Sequence, residues 1–199
     1  MTARSGAFDI VGGLGLLAIT APILATAAVA VAFTSPGPVV FSQWRCGRGK
    51  RLFRCYKFRT MVVDAEQRLA QDPALLSRFR ESWKLDDDPR VTPVGRWLRR
   101  LSIDELPQII NVLRGEMSIV GPRPVQPAEM EEKFGVWSVI VCLAKPGLTG
   151  LWQVSGRSQV RYRDRVALEV EYIRRRGFWY DLMLALRTIP CIITTRGAS

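Results

Sequence analysis

Leu101-Ser102-Ile103-Asp104-Glu105-Leu106-Pro107-Gln108-Ile109-Ile110-Asn111-Val112-Leu113 is the stretch whose reading decides the fold. Ile103, Leu106, Ile110 and Leu113 recur at helical spacing, with two adjacent carboxylates at the mouth of the apolar run. Ser102 stands as an N-cap, and Glu105 three residues on completes a capping-box pattern. Asp104 is superfluous to that box. Pro107 is awkward beyond the first turn and leaves the helix start open by a residue or two. A carboxylate here feels the positive end of the helix dipole, which favours its ionised form and suits it as metal ligand or nucleophile. Taken alone, the dipeptide is explained most simply by capping. Its surroundings shift the balance.

Just upstream, Arg96, Arg99 and Arg100 lie on a short amphipathic helix whose Val94, Trp97, Leu98 and Leu101 are available for packing. A basic face is thus delivered immediately before Asp104-Glu105. Further upstream, Asp86-Asp87-Asp88-Pro89-Arg90 reads as a solvated acidic turn, with a contribution to a divalent-metal site as the alternative. Downstream, Gly121-Pro122-Arg123-Pro124 holds Arg123 between two prolines of fixed φ, so ordering the loop costs little entropy. A guanidinium placed this way suits a phosphate, or equally a surface carboxylate in a rigid connector. Lys145-Pro146-Gly147-Leu148-Thr149-Gly150-Leu151-Trp152-Gln153-Val154-Ser155-Gly156-Arg157 is Gly-rich with a cation at each end. Such a backbone approaches phosphates closely, and also makes ordinary turns.

Val39 to Arg45 and Arg51 to Phe58, rich in Val and aromatics, read as two strands around Gly47-Arg48-Gly49. Alternation puts Leu52, Arg54, Tyr56 and Phe58 on one face and Phe53, Cys55, Lys57 and Arg59 on the other. Polar helices are expected from Met61 to Ala70 and from Ala74 to Lys84. From Ala7 to Phe33 only Asp9 is charged, a span of about 40 Å as a helix against a hydrocarbon core of about 30 Å. Pro22 near its middle leaves three readings open: a span, a segment that enters and turns back, or a cleaved signal peptide. Nearly all basic residues follow Thr34, which places the remainder in the cytoplasm. Gly12-Gly13-Leu14-Gly15 has no strand before it and reads as close helix packing, not a dinucleotide loop. The region from Tyr162 to Arg176 reads as a helix stopped by Gly177, and Phe178 to Thr195 as an apolar helix for the core or a membrane interface.

The chain has 199 residues, which suits one domain, or one domain plus an appendage. Lys+Arg 29 against Asp+Glu 18 gives a formal net charge of +11, which calls for an anionic partner. With His 0, Ser-His-Asp and Cys-His catalysis and His-containing zinc sites are excluded. Cys46, Cys55, Cys142 and Cys191 have no metal-type spacing; a Cys46–Cys55 cross-strand disulfide requires an oxidising compartment.

Together these blocks resemble the bacterial sugar transferases, the monotopic polyprenol-phosphate phosphoglycosyl transferases. The resemblance runs from Phe8-Asp9-Ile10 to the C-terminal helix. It rests on Ser35-Pro36-Gly37-Pro38, Tyr56-Lys57-Phe58-Arg59-Thr60-Met61, Asp88-Pro89-Arg90 with Gly95-Arg96, Ser102 to Gln108, Val120 to Pro124, and Lys145 to Arg157. It implies an α+β, predominantly helical protein: a re-entrant membrane helix hairpin over 1–34, kinked near Pro22, then a catalytic domain over 35–199. That domain would carry a small β-hairpin and amphipathic interfacial helices, and sit monotopically on the cytoplasmic face of the bacterial inner membrane. It has the length expected of the minimal catalytic form.

The resemblance further implies transfer of a phosphosugar from a UDP-sugar to undecaprenyl phosphate with release of UMP, without nucleic acid as a partner. Asp104 would be the nucleophile, and Asp104 and Glu105 would hold Mg2+. Arg123 and Pro124 would meet donor phosphate, with Lys57, Arg59, Arg96, Lys145 and Arg157 behind them. Three positions depart from the family pattern. Gly6-Ala7 replaces a Lys-Arg pair, Thr20-Ala21-Pro22 replaces Ser-Pro, and Glu169 stands where an Asp is usual, with no role assigned. The competing readings are a nucleotide-sugar hydrolase using the same dyad and a non-enzymatic, membrane-tethered nucleic-acid-binding protein.

Overall fold

The computed structural model describes residues 3–83, 85, 87–156 and 160–193. The apolar N-terminal run forms α1, Ala3–Thr34, a helix of 32 residues and about 48 Å. It continues through Pro22 as one helix. A proline deletes one ladder bond, which its helical neighbours can carry. The hydroxyl of Thr20 does not cover the freed carbonyl; it donates to Leu16 O at 2.7 Å, and Thr26 donates to Pro22 O at 2.8 Å. Both ends of α1 lie on the same body. Near its start, Asp9 accepts from Ser118 Oγ at 2.7 Å and from the Ile119 N–H at 3.0 Å. A Cβ at Gly12 would stand 2.5 Å from Ile119 and one at Gly13 3.0 Å from Leu113, so these glycines do serve close packing. Near its end, Ala27 and Val31 are buried with Phe58 and Leu98.

The hairpin is β1, Val40–Cys46, antiparallel to β2, Leu52–Phe58. Phe53 and Cys55 turn into the core while Leu52 and Arg54 stay exposed, as alternation requires. The register opposes Gln43 to Cys55 and Cys46 to Leu52, so a Cys46–Cys55 disulfide is excluded, and all four cysteines are free thiols. Next come α2, Ala65–Gln71, and α3, Pro73–Ser82, the latter capped by Asp72, which accepts from the Leu75 N–H at 2.9 Å. Of the acidic cluster, Asp86 lies outside the described residues and Asp87 is exposed, but Asp88 is buried. Its carboxylate takes Arg90 Nε at 2.8 Å and Nη2 at 2.6 Å, so it is a structural ion pair and not a solvated turn.

Helix α4, Pro93–Arg100, is capped by Thr92 and packs Gly95 against Thr60. It leads into a 3-10 turn, Ile103–Gln108, and then α5, Ile109–Leu113. Sequence periodicity missed a second sheet: β3, Ser118–Val120, runs parallel to β4, Gly147–Thr149. Each strand has three residues, too few for a period to register. Residues Pro127–Val141 form consecutive short helical turns, α6 (Pro127–Glu129) and α7 (Ser138–Val141) among them. After the short α8, Leu151–Val154, come α9, Tyr162–Arg175, and α10, Phe178–Ile193. The central core joins Phe53 and Cys55 of β2, Val112, Met117 and Val120, Tyr172 of α9 and Leu184 of α10.

Backbone meets backbone where the two Gly-rich loops cross. A Cβ on Gly147 would lie 2.1 Å from Gly121 N and 2.4 Å from Thr149 O, and one on Gly150 2.1 Å from Gly121 O. Gly147→Ala is therefore expected to destabilise the protein by about 1–3 kcal/mol through overpacking. Its thermal midpoint should fall by roughly 2–12 °C; a melt superimposable on that of the parent would refute the close approach.

Candidate active site

Four segments converge on the dyad. The 3-10 turn carries Asp104 and Glu105, β2 carries Lys57, the loop after β3 carries Arg123, and α4 carries Arg99. Buried Asn111 ties β2 to α5, which continues directly from the 3-10 turn: its Nδ2 donates to Arg54 O and its Oδ1 accepts from the Tyr56 N–H. The capping box does not form. Ser102 adopts a left-handed conformation (φ 56), and the Glu105 carboxylate is committed elsewhere. Lys57 Nζ lies 2.7 Å from Oε1, Arg123 Nη2 2.6 Å from Oε1, and Arg123 Nη1 3.1 Å from Oε2. Burial alone would push Glu105 up, but Arg123 and Lys57 outweigh it and hold the carboxyl well below its usual range.

Asp104 behaves in the opposite way. It is 7% exposed, and burial pushes its carboxyl up. Lys57, Arg99 and Arg123 pull it back, while the Glu105 charge adds to the rise. A dipole-ionised Asp104, as expected from an α-helical start, gives way to a desolvated carboxyl ringed by cations, because the turn is 3-10 and interior. Two neighbouring carboxylates thus have divergent proton affinities, the pattern that separates a permanently charged anchor from a group poised to react.

The expected phosphate ligands divide. Lys57 and Arg123 join the dyad. Arg59 does not: it is buried, and it donates to Pro38 O at 2.6 Å and to Ser35 O at 2.6 Å, clamping the turn that follows α1. Arg96 is exposed on α4, and Arg99 takes the place facing Asp104, with its Nε on Thr60 Oγ1 at 2.9 Å. Lys145 sets its ammonium beside Gly115 and makes no ion pair with the dyad among the described residues. Pro124 is buried and stiffens the loop; Arg157 lies outside the described residues.

Several residues went unread in the sequence. Glu169 is 1% exposed and accepts the Arg123 N–H on Oε1 at 3.0 Å, fixing the proline-flanked loop. Burial raises its carboxyl to about 7 against the pull of Arg165. Arg123 lies 5.5 Å from the Trp152 ring centroid, and Arg165 covers Trp152 at 4.5 Å while also bonding Glu129 Oε1 at 3.0 Å. Tyr162 OH donates to that same oxygen at 2.6 Å. This aromatic and ionic buttress backs Arg123 from behind. Only the Trp152 in its Gly-rich block signalled it; Glu129 and Arg165 are single charges on polar helical turns. Among the described residues no group of three or more acidic, Cys or His side chains gathers as a metal cage. Asp104 with substrate phosphates suits magnesium, which is commonly held by one or two carboxylates plus phosphate. Glu105 fits less well, because both of its oxygens are held by cations.

A sequence profile described as bacterial sugar transferase matches residues 2–195. The chain is 42% identical over 195 residues to the UDP-galactose-lipid carrier transferase of Erwinia amylovora, covering 96% of this chain and 40% of that protein. It is 40% identical to the exopolysaccharide production protein ExoY of Rhizobium meliloti, covering 96% of this chain and 86% of the relative. It is also 40% identical to the UDP-glucose:undecaprenyl-phosphate glucose-1-phosphate transferase of Caulobacter vibrioides, covering 98% and 72%. The chain thus spans less than half of the Erwinia protein and most of the other two. With the profile matched along almost its whole length, the chain belongs to the bacterial sugar transferase family.

Proposed function

We propose that this protein is a phosphoglycosyl transferase that moves a phosphosugar from a UDP-sugar to undecaprenyl phosphate and releases UMP. The observation that carries the reading is the neutralised pair: Glu105 bound by Lys57 and Arg123 beside a buried Asp104. An Asp104 oxygen attacks the sugar-side phosphorus, and the bond from that phosphorus to the bridging oxygen breaks. Its electron pair leaves on UMP, and the phosphosugar stays on Asp104 as an acyl phosphate. A phosphate oxygen of the acceptor then attacks the same phosphorus, giving the diphosphate-linked sugar and returning the Asp104 carboxylate. Arg123, stiffened by Pro122 and Pro124 and tied through its N–H to Glu169, orients the donor phosphates, and Arg99 offers a second cation on the Asp104 side. Lys57 and Arg123 keep Glu105 charged, so Glu105 holds both cations in register. Magnesium bound by Asp104 and the diphosphate would offset charge at the transferring group.

The acceptor implies a membrane. Gly6–Thr34 is long and apolar enough to cross one, yet its two ends rest on one body, which favours a segment that enters and returns to the cytoplasmic face over a full span. The test is UMP release by detergent-solubilised protein from a panel of UDP-sugars, with and without undecaprenyl phosphate and magnesium. Turnover that needs lipid and metal, for one sugar, is the expected result. UMP formed equally well with water as acceptor would instead make the protein a hydrolase.

A further inference from the structure

Between α1 and α4 runs an apolar groove of about 410 Å3, within the range of roughly 300–1,000 Å3 common to small-molecule clefts. Pro22, Ala27 and Ala30 of α1, Trp97 and Leu98 of α4, and Ile103 of the 3-10 turn line it. Beside Ile23, α1 presents the small side chains of Ala27 and Ala30 to the groove, which leaves room between the two helices. Thr26 also borders it, but its hydroxyl is turned into its own helix, onto Pro22 O at 2.8 Å, so the lining stays apolar. Trp97 is 65% exposed, leaving a large indole surface to be covered. The position of Ile103 in the chain decides the occupant. Ile103 is followed directly by Asp104, and α4, whose Trp97 and Leu98 form the wall, also carries Arg99 towards the Asp104 charge. The apolar lining thus comes within one residue of the reacting carboxyl along the chain, and the helix that walls it also bears a cation that feels the Asp104 charge. A molecule with a phosphate head and an apolar tail has that same division.

We propose that this groove is the subsite for the leading isoprene units of the polyprenyl-phosphate acceptor, with the phosphate placed at Asp104. The proposal rests on the transferase reading. Its test separates the two. Exchange of labelled UMP into UDP-sugar without acceptor reports the donor half alone. The KM for polyprenyl phosphates of increasing chain length reports the groove. Ala30→Trp, which fills the trough, is expected to raise the KM for a long-chain acceptor at least about tenfold, the equivalent of two or three buried methylenes. It should also abolish the preference for long over two-isoprene acceptors, with UMP exchange unchanged. Trp97→Ala, which removes a wall without adding bulk, should weaken the same preference if Ala30→Trp fails to fold. Phe33→Trp, on the same helix at an 87% exposed position outside the groove, is the control and should leave every parameter unchanged. An unchanged chain-length preference in both groove variants overturns the proposal. So does an equal loss in the control, since α1 would then act through general membrane insertion and the trough would hold bulk lipid. Absence of both UMP exchange and transfer in the parent protein would sink the transferase reading itself, and this subsite with it.

Discussion

Asp104→Asn is expected to lower phosphosugar transfer by about 10^4- to 10^6-fold, the scale on which deleting the group that forms a covalent intermediate acts. The amide keeps the shape of the carboxyl but is neutral and a far weaker nucleophile towards phosphorus than a carboxylate. Asp104 is 7% exposed and its proton affinity is raised by burial, so removing the charge relieves a desolvation cost. The variant should therefore fold, with a thermal midpoint equal to or above that of the parent. Incubation with UDP-sugar alone, followed by intact-mass measurement, should give a phosphosugar adduct on the parent and none on the variant. UMP release by the variant at the parental rate would eliminate Asp104 as nucleophile.

Glu105→Gln acts through the cations. Lys57 and Arg123 both close on this carboxylate, and its side chain is 20% exposed. Losing the charge leaves two adjacent cations without their shared anion, at a cost to stability of roughly 1–3 kcal/mol. Both cations then turn towards Asp104 and compete with the donor for it. Transfer should drop about 100-fold, the scale of one lost electrostatic stabiliser. Because cations already occupy both Glu105 oxygens, the magnesium titration should keep its midpoint. The pH profile carries a sign. The reactive form of Asp104 is ionised, so activity rises with pH on the acid side. The Glu105 charge raises the Asp104 carboxyl, and its removal should move that limb to lower pH. A shifted magnesium midpoint would instead make Glu105 a metal ligand.

Much of this was legible where physical chemistry acts locally. Composition located β2 and alternation divided its two faces, and the basic run stopped by Gly177 located α9 almost to the residue. Pro122 and Pro124 flagged Arg123 as a pre-set guanidinium, and it does bind the dyad. Reading failed where long-range partners decide. Arg59 and Arg99 are both arginines in basic stretches; one holds the Ser35 turn and the other faces Asp104 only because of how β2 and α4 pack. A capping box was the local optimum for Ser102 and Glu105, but Lys57, 48 residues away, offers Glu105 a stronger partner. Glu169, Glu129 and Arg165 carry no periodicity of their own, and their roles exist only once α9 lies against the Arg123 loop.

The crossing of Gly121 with Gly147 and Gly150 has a consequence for how this fold can be inferred from related sequences. Pairs of residues reveal contact through compensating exchange, one side growing as the other shrinks. Here each partner already has the smallest side chain, and any enlargement drives a Cβ to 2.1–2.4 Å from backbone atoms that cannot retreat. No double substitution restores the fit. The junction that holds the Arg123 loop against the Gly147–Gly150 segment should therefore leave no correlated variation, and covariation will be silent at one of the tightest contacts in the molecule.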